Sequence, residues 1–238
     1  MQDAIAQMVT PLLDGIDREL GATYTAVLYG SAARGEWRPG VSDVNLLLVC
    51  DSLRPEPLRR LGTTFDSLRR ERQPPPLLVE RDEWSRAVDV FPIEVTDMQL
   101  AHETLRGSDP VAGLLVEPGD LRRALEQEFR AKLLRLRQAF VAHAADPRAL
   151  GEVAAHSVAS IAVLFRVTLS LHGRTAPPAT PECLAAAGAA LSVSTAAVAE
   201  LWHTRRGNQP CSPELFEAYL AAVASAVRVI DQFIPGGN

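Results

Sequence analysis

At 238 residues, 47% hydrophobic and 22% charged, the chain has the length for one large domain or two small ones and an ordinary globular composition, which excludes global disorder. A formal net charge of −5 argues against a general nucleic-acid binder, which would carry a broad basic footprint. Cys50, Cys183 and Cys211 are odd in number, far apart and without metal spacing, so reduced thiols in a cytoplasmic setting and no zinc site are expected.

Residues 2–20 repeat Ile5, Met8, Val9, Leu12, Leu13, Ile16 and Leu20 at helical spacing and lack the positive start and cleavage site of a secretion signal. An amphipathic helix is therefore expected first. Strands are expected at 23–29 and 44–50, separated by the segment SAARGEWRPGVSD. A helix follows over 56–71 and stops at Gln73-Pro74-Pro75-Pro76, which cannot continue it. LLVE at 77–80 and PIEVTDM at 92–98 read as further strands, with a short helix over DEWSRAV between them.

After Glu117-Pro118-Gly119-Asp120 the pattern changes. Residues 121–143 carry Leu121, Leu125, Phe129, Leu133, Leu136 and Phe140 on one helical face and arginines on the other. A second helix spans 149–172 and ends at His172-Gly173, a loop begins near 176, and two or three more helices follow, the last over about 213–233. The longest apolar stretch, VASIAVLFRVTLSL, is broken by Arg166, so no membrane span and no membrane partner are expected. The expectation is an α/β domain over 1–117 with alternating strands and helices, then an all-α helical bundle over 118–238.

One segment looks like chemistry: VLYGSAARGEWRPGVSDVNLLLV at 27–49. A strand ending in Gly30-Ser31 can set backbone N–H groups and a hydroxyl against a phosphate. Asp43 and Asn45 are two apart, so in a strand both leave the same face. Gly-Ser, a spacer of this length, then an acid at the start of a hydrophobic strand resembles the nucleotidyltransferases of the DNA polymerase β superfamily, whose pattern continues Asp-x-Asp or Asp-x-Glu. The resemblance runs in particular to small enzymes of the kanamycin and aminoglycoside nucleotidyltransferase type, in which a mixed-sheet catalytic domain precedes a helical one.

That resemblance implies Mg²⁺-dependent transfer of a nucleotidyl group, AMP from ATP in the first instance, to a hydroxyl of a small molecule. It places Gly30, Ser31, Arg34 and Ser42 at the phosphates, Asp43 as bridging metal ligand and Asn45 where the second carboxylate belongs. It also makes Glu94 the third metal ligand or the base. An acid between Ile93 and Val95 in a central strand is costly to bury without a partner, which favours a working role. Asp97, on the opposite strand face, is the weaker candidate. Lys132, the only lysine, is a candidate for the triphosphate, with a plain ion pair to Glu128 as the competing reading.

Asn45 offers a neutral oxygen and no charge, so a weakened metal site, a rescued one and a catalytically inactive domain stay open. An inactive domain would serve as a nucleotide sensor or an antitoxin-like protein-binding module. A third reading comes from Arg166-x5-His172, which resembles the Arg-x4-6-His motif of HEPN-type RNases, although Val167 stands where that family has a polar residue and His172 suits a helix end. His156 reads as a core or interface histidine. The sequence leaves the acceptor undetermined and a homodimer open.

Overall fold

A computed structural model describes residues 2–21, 23–205, 209–234 and 236. The chain divides into two compact units, Met1–Val90 with Asp97–Leu115, and Phe91–Thr96 with Val116–Asn238. The first is a mixed sheet with flanking helices and the second is helical, the architecture expected from the alternation of patterns along the chain.

In the sheet unit, helix α1 (Asp3–Leu20) precedes strands β1 (Tyr24–Tyr29) and β2 (Asn45–Cys50). Helices α2 (Pro55–Thr64) and α3 (Asp66–Arg70), strand β3 (Leu77–Glu80) and helix α4 (Arg81–Arg86) follow. The strand order is β3-β2-β1-β4, where β4 is His102–Arg106. β1 runs antiparallel to β2 and β4, and β2 runs parallel to β3. Alternation puts Tyr24, Ala26, Leu28, Leu46, Leu48 and Cys50 on one face, where Ile5, Val9, Leu12 and Ile16 of α1 join them in a single core. The expected helix over 56–71 is broken at Phe65, after a Gly62-Thr63-Thr64 run of weak helix formers.

Residues 92–98 correct the sequence reading. They are not a strand but belong to helix α5 (Pro92–Leu100). Pro92 suits a first helical turn, the Val95 N–H reaches the Phe91 carbonyl at 3.0 Å, and the Thr96 hydroxyl donates to the Pro92 carbonyl at 2.7 Å. Short apolar runs of this kind fit either period, and here packing overrides the β-branched composition. The strand lies further on, as β4, which the sequence pattern does not single out.

The helical unit comprises α6 (Pro118–His143), α7 (Pro147–Leu171), α8 (Thr180–Leu191), α9 (Ala196–Thr204) and α10 (Pro213–Gln232). Phe129, Phe165, Phe216 and Tyr219 are fully buried at its centre, with the Phe129 and Phe165 rings edge to face at 5.3 Å. α7 is long and apolar enough to cross a membrane by length and composition, yet most of its apolar residues are inside the unit, as befits the central helix of a bundle. Asp146 caps it, accepting from the N–H groups of Arg148 and Ala149 at 3.0 and 3.2 Å.

Gly151 lets the chain at Gln209–Cys211 lie against the first turns of α7. A Cβ there would overlap the Gln209 carbonyl oxygen, and the same approach lets the Cys211 N–H reach the Pro147 carbonyl at 2.8 Å. Gly151→Ala is expected to destabilise the protein by about 1–3 kcal/mol in urea unfolding. Gly62→Ala, where a Cβ meets nothing within 4 Å, is expected to stabilise it by about 0.4–1 kcal/mol. Equal effects of the two changes would refute the close approach at Gly151.

Candidate functional site

The Gly-Ser turn follows β1 directly. The Arg34 N–H reaches the Gly30 carbonyl at 3.1 Å and the Glu36 N–H reaches the Ser31 carbonyl at 2.9 Å, coiling the segment into about one helical turn. In such a turn the leading N–H groups have no acceptor within the turn itself. Gly30 has φ +71°, and a Cβ on it would lie 2.9 Å from the Asn45 side-chain nitrogen. Glycine is therefore required twice here, for its dihedral and for the approach of Asn45.

β2 is entered through a contact that the sequence pattern does not reveal. The Gln73 side chain accepts from the Val44 N–H at 2.7 Å, fixing the backbone between Asp43 and Asn45. Asp43 is exposed, while Ser42 and Asn45 are half-buried. Register puts Asn45 opposite Tyr29 and Tyr29 opposite His102, so an amide, a phenol and an imidazole stand in one row on one face, drawn from three strands. The His102 ring bridges the Met98 carbonyl at 2.8 Å and the Asp109 carboxylate at 3.1 Å. Burial pulls the Asp109 carboxyl upward, but the N–H groups of Val111 and Ala112 and the His102 ring outweigh it and hold it below the ordinary aspartate value. His102 and Asp109 carry no motif, and only the register of β4 brings the imidazole into the row.

Arg34, expected at the phosphates, is turned elsewhere. Its guanidinium donates to both Asp97 oxygens at 3.1 and 3.4 Å, and the two side chains are 5% and 8% exposed. Glu36 stands 3.5 Å from its Nε without hydrogen-bond geometry. The pair is a buried ion bridge between the Gly-Ser turn and the second half of α5, and it spends the charge of Asp97 as well as that of Arg34.

Glu94 also differs from expectation. It lies in the first turn of α5, in the helical unit, and is exposed, so the cost of burying it no longer argues for a role. Lys132 belongs to the helical unit on α6. Gly30, Ser31, Ser42, Asp43 and Asn45 are thus gathered around the end of the sheet, whereas Glu94 and Lys132 are residues of the other unit.

Mg²⁺ takes near-octahedral oxygen ligation anchored by carboxylates. The end of the sheet offers Asp43 beside an amide, a phenol and an imidazole, and the other carboxylate there, Asp109, is taken up by that imidazole and by the N–H groups of Val111 and Ala112. Among the described residues no group of three or more His, Cys, Asp or Glu side chains is placed to hold a metal ion. This donor set does not fit the magnesium centre that the resemblance implies.

The RNase motif is likewise absorbed by structure. Arg166 is 3% exposed and its guanidinium donates to the Pro177 and Pro178 carbonyls and the Thr180 hydroxyl, holding the turn into α8. His172 lies against the Phe233 ring at 4.6 Å, and burial, then the nearby Arg174, lowers its pKa. Buried among protein groups in this way, Arg166 has no surface to present to RNA.

No protein-family model matches the chain, and no curated protein matches it significantly. Among solved structures, a spectinomycin adenyltransferase from Enterococcus faecialis, crystallised with ATP and spectinomycin, is similar with a TM-score of 0.57 and 11% identity. The match covers 95% of this chain and 99% of that one, so the whole two-part architecture is shared. At this identity the likeness shows a common fold.

Asp97→Ala is expected to cost about 3–5 kcal/mol in urea unfolding, because it removes both carboxylate hydrogen bonds of the buried Arg34 and leaves it only Glu36, which lies 3.5 Å from its Nε without hydrogen-bond geometry. Replacing both, Arg34→Met with Asp97→Leu, should restore most of that loss. A single variant within about 0.5 kcal/mol of the parent would show that the pair is not a buried bridge.

Proposed function

We propose that this protein is a catalytically inactive member of the polymerase-β-type nucleotidyltransferase superfamily that binds a nucleotide, ATP in the first instance, as a sensor. The observation that carries the reading is Asn45. By the resemblance it stands where the second metal carboxylate belongs, and its side chain packs against Gly30 in a row continued by Tyr29 and His102. Neutral and basic polar groups suit phosphate oxygens better than they suit a divalent cation.

In this proposal Gly30, Ser31 and Ser42 receive the phosphates through N–H and hydroxyl groups. Asn45 donates through its amide where a transferase would place a metal ion. Asp43, exposed at the start of β2, is the one acid retained from the pattern. Arg34 acts at one remove, by holding the turn through Asp97. The shared fold with an adenyltransferase solved with ATP supports nucleotide as the ligand. Transfer of AMP to a small-molecule hydroxyl is the reading that this donor set disfavours.

Calorimetric titration of ATP in EDTA and in excess Mg²⁺ tests the proposal. Saturable binding of similar strength in both is expected, with no pyrophosphate released on incubation with ATP. Asn45→Asp should add a carboxylate beside Asp43 with no cation to balance it, lowering the unfolding midpoint by an amount equivalent to about 1–3 kcal/mol without a magnesium-dependent gain in affinity. Tighter binding only with Mg²⁺, or pyrophosphate release by either protein, would establish the transferase instead. Absence of ATP binding would overturn the nucleotide reading and leave a protein-binding module.

A further inference from the structure

The helical unit holds a groove of about 460 Å³ between the second half of α6 and the first half of α7. Its volume lies in the range of small-molecule sites. Leu136 and Val153 provide apolar wall, and Lys132, Arg135, His143 and His156 bring basic groups to it against a single acid, Glu152. On a chain with a net charge of −5 this is a local reversal of sign.

The charges at the groove differ from those on the first half of α6. On the same helix Arg122 and Arg130 both pair with Glu126 at 2.8 Å, Arg130 also pairs with Asp231, and Arg123 pairs with Asp120. Among the described residues, neither Lys132 nor Arg135 has an ion pair or a side-chain hydrogen bond, and the alternative partner Glu128 is not engaged. The basic groups at the groove are thus without neutralisation by protein acids, and Lys132 is half-buried there.

The α7 wall is arranged for recognition as well. His156 directs Nδ1 to the Glu152 carbonyl at 2.7 Å, which leaves Nε2 for a ligand. The Ser157 hydroxyl lies 2.8 Å from the Val153 carbonyl and 3.0 Å from the hydroxyl of the fully buried Tyr219. Donating to the first, it accepts from the second, so its position on the wall is fixed.

We infer that this groove binds a small organic anion with an apolar body, its carboxylate set between Lys132 and Arg135 and its hydrocarbon part on Leu136 and Val153. Burying the hydrocarbon removes apolar surface from water, while the two cations supply charge-assisted bonds that no protein group uses. Every residue lining it belongs to the helical unit, and none is among those of the nucleotide reading above.

Fluorescence titration with 8-anilinonaphthalene-1-sulfonate, an apolar anion, reads the site directly. One saturable phase is expected, displaced by octanoate but not by octylamine of the same chain length, by inorganic phosphate or by ATP. The double variant Lys132→Met, Arg135→Met should bind the dye at least about tenfold more weakly while melting within a few degrees of the parent, because both residues are outside the core. Unchanged dye affinity in that variant would overturn the inference, as would equal displacement by octylamine. Displacement by inorganic phosphate would overturn the apolar body, and displacement by ATP would overturn the separation from the nucleotide site. Should the double variant fail to fold, the octanoate and octylamine comparison on the unaltered protein decides.

Discussion

Arg34 and Asp97 are 63 positions apart in the chain, and their buried ion pair is the contact through which the rest of the site is organised. It joins the turn that follows β1 to α5, the element whose downstream neighbour, β4, completes the sheet. Two charges removed from water are tolerable only in each other's company, so the turn and the helix can be rearranged only together. The same contact withdraws Arg34 from any ligand and Asp97 from any metal. A residue type that suggests phosphate binding on the page of the sequence thereby becomes a structural fastening.

With Arg34 committed, the proposed chemistry at the end of the sheet rests on Gly30, Ser31 and the row of Asn45, Tyr29 and His102. The contact between Asn45 and Gly30 is close enough that each constrains the other: the glycine can carry no Cβ, and the amide stands against the turn. His102 is held at both ring nitrogens and Val44 is held by Gln73, so the row is fixed from two sides. Such a row is held in place by protein contacts. Among the described residues it lacks the group of carboxylates by which proteins anchor divalent cations.

The helical unit makes the contrasting choice about charge. Its arginines near the start of α6 are neutralised in ion pairs, and Arg166 is buried under three oxygen acceptors. Lys132 and Arg135 have no such partner, and they fall on the wall of the groove between α6 and α7. Long cationic side chains ordinarily find an i, i+4 acid or water, and a half-buried lysine beside an apolar wall finds less of either.

The sequence by itself determined the elements whose periodicity is strong. The amphipathic repeat of 2–20, the continuous apolar runs that became β1 and β2, and the long apolar faces of α6 and α7 all appear where the pattern places them, because burial dictates each, on one face of the helices and on both faces of the two strands. It also placed Gly30, Ser31, Asp43 and Asn45 at one end of the sheet, since a turn and a strand start are local matters. Tertiary structure alone decided the rest. Residues 92–100 are short enough to satisfy either period, and packing made them a helix, moving Glu94 out of the sheet and into the solvent. The pairing of Arg34 with Asp97 and the alignment of His102 with Tyr29 and Asn45 depend on which segments lie side by side, which no local pattern encodes. Charge at a site is a property of the neighbours a residue acquires on folding, and for this reason the motif was legible in the sequence while its capacity to hold a metal was not.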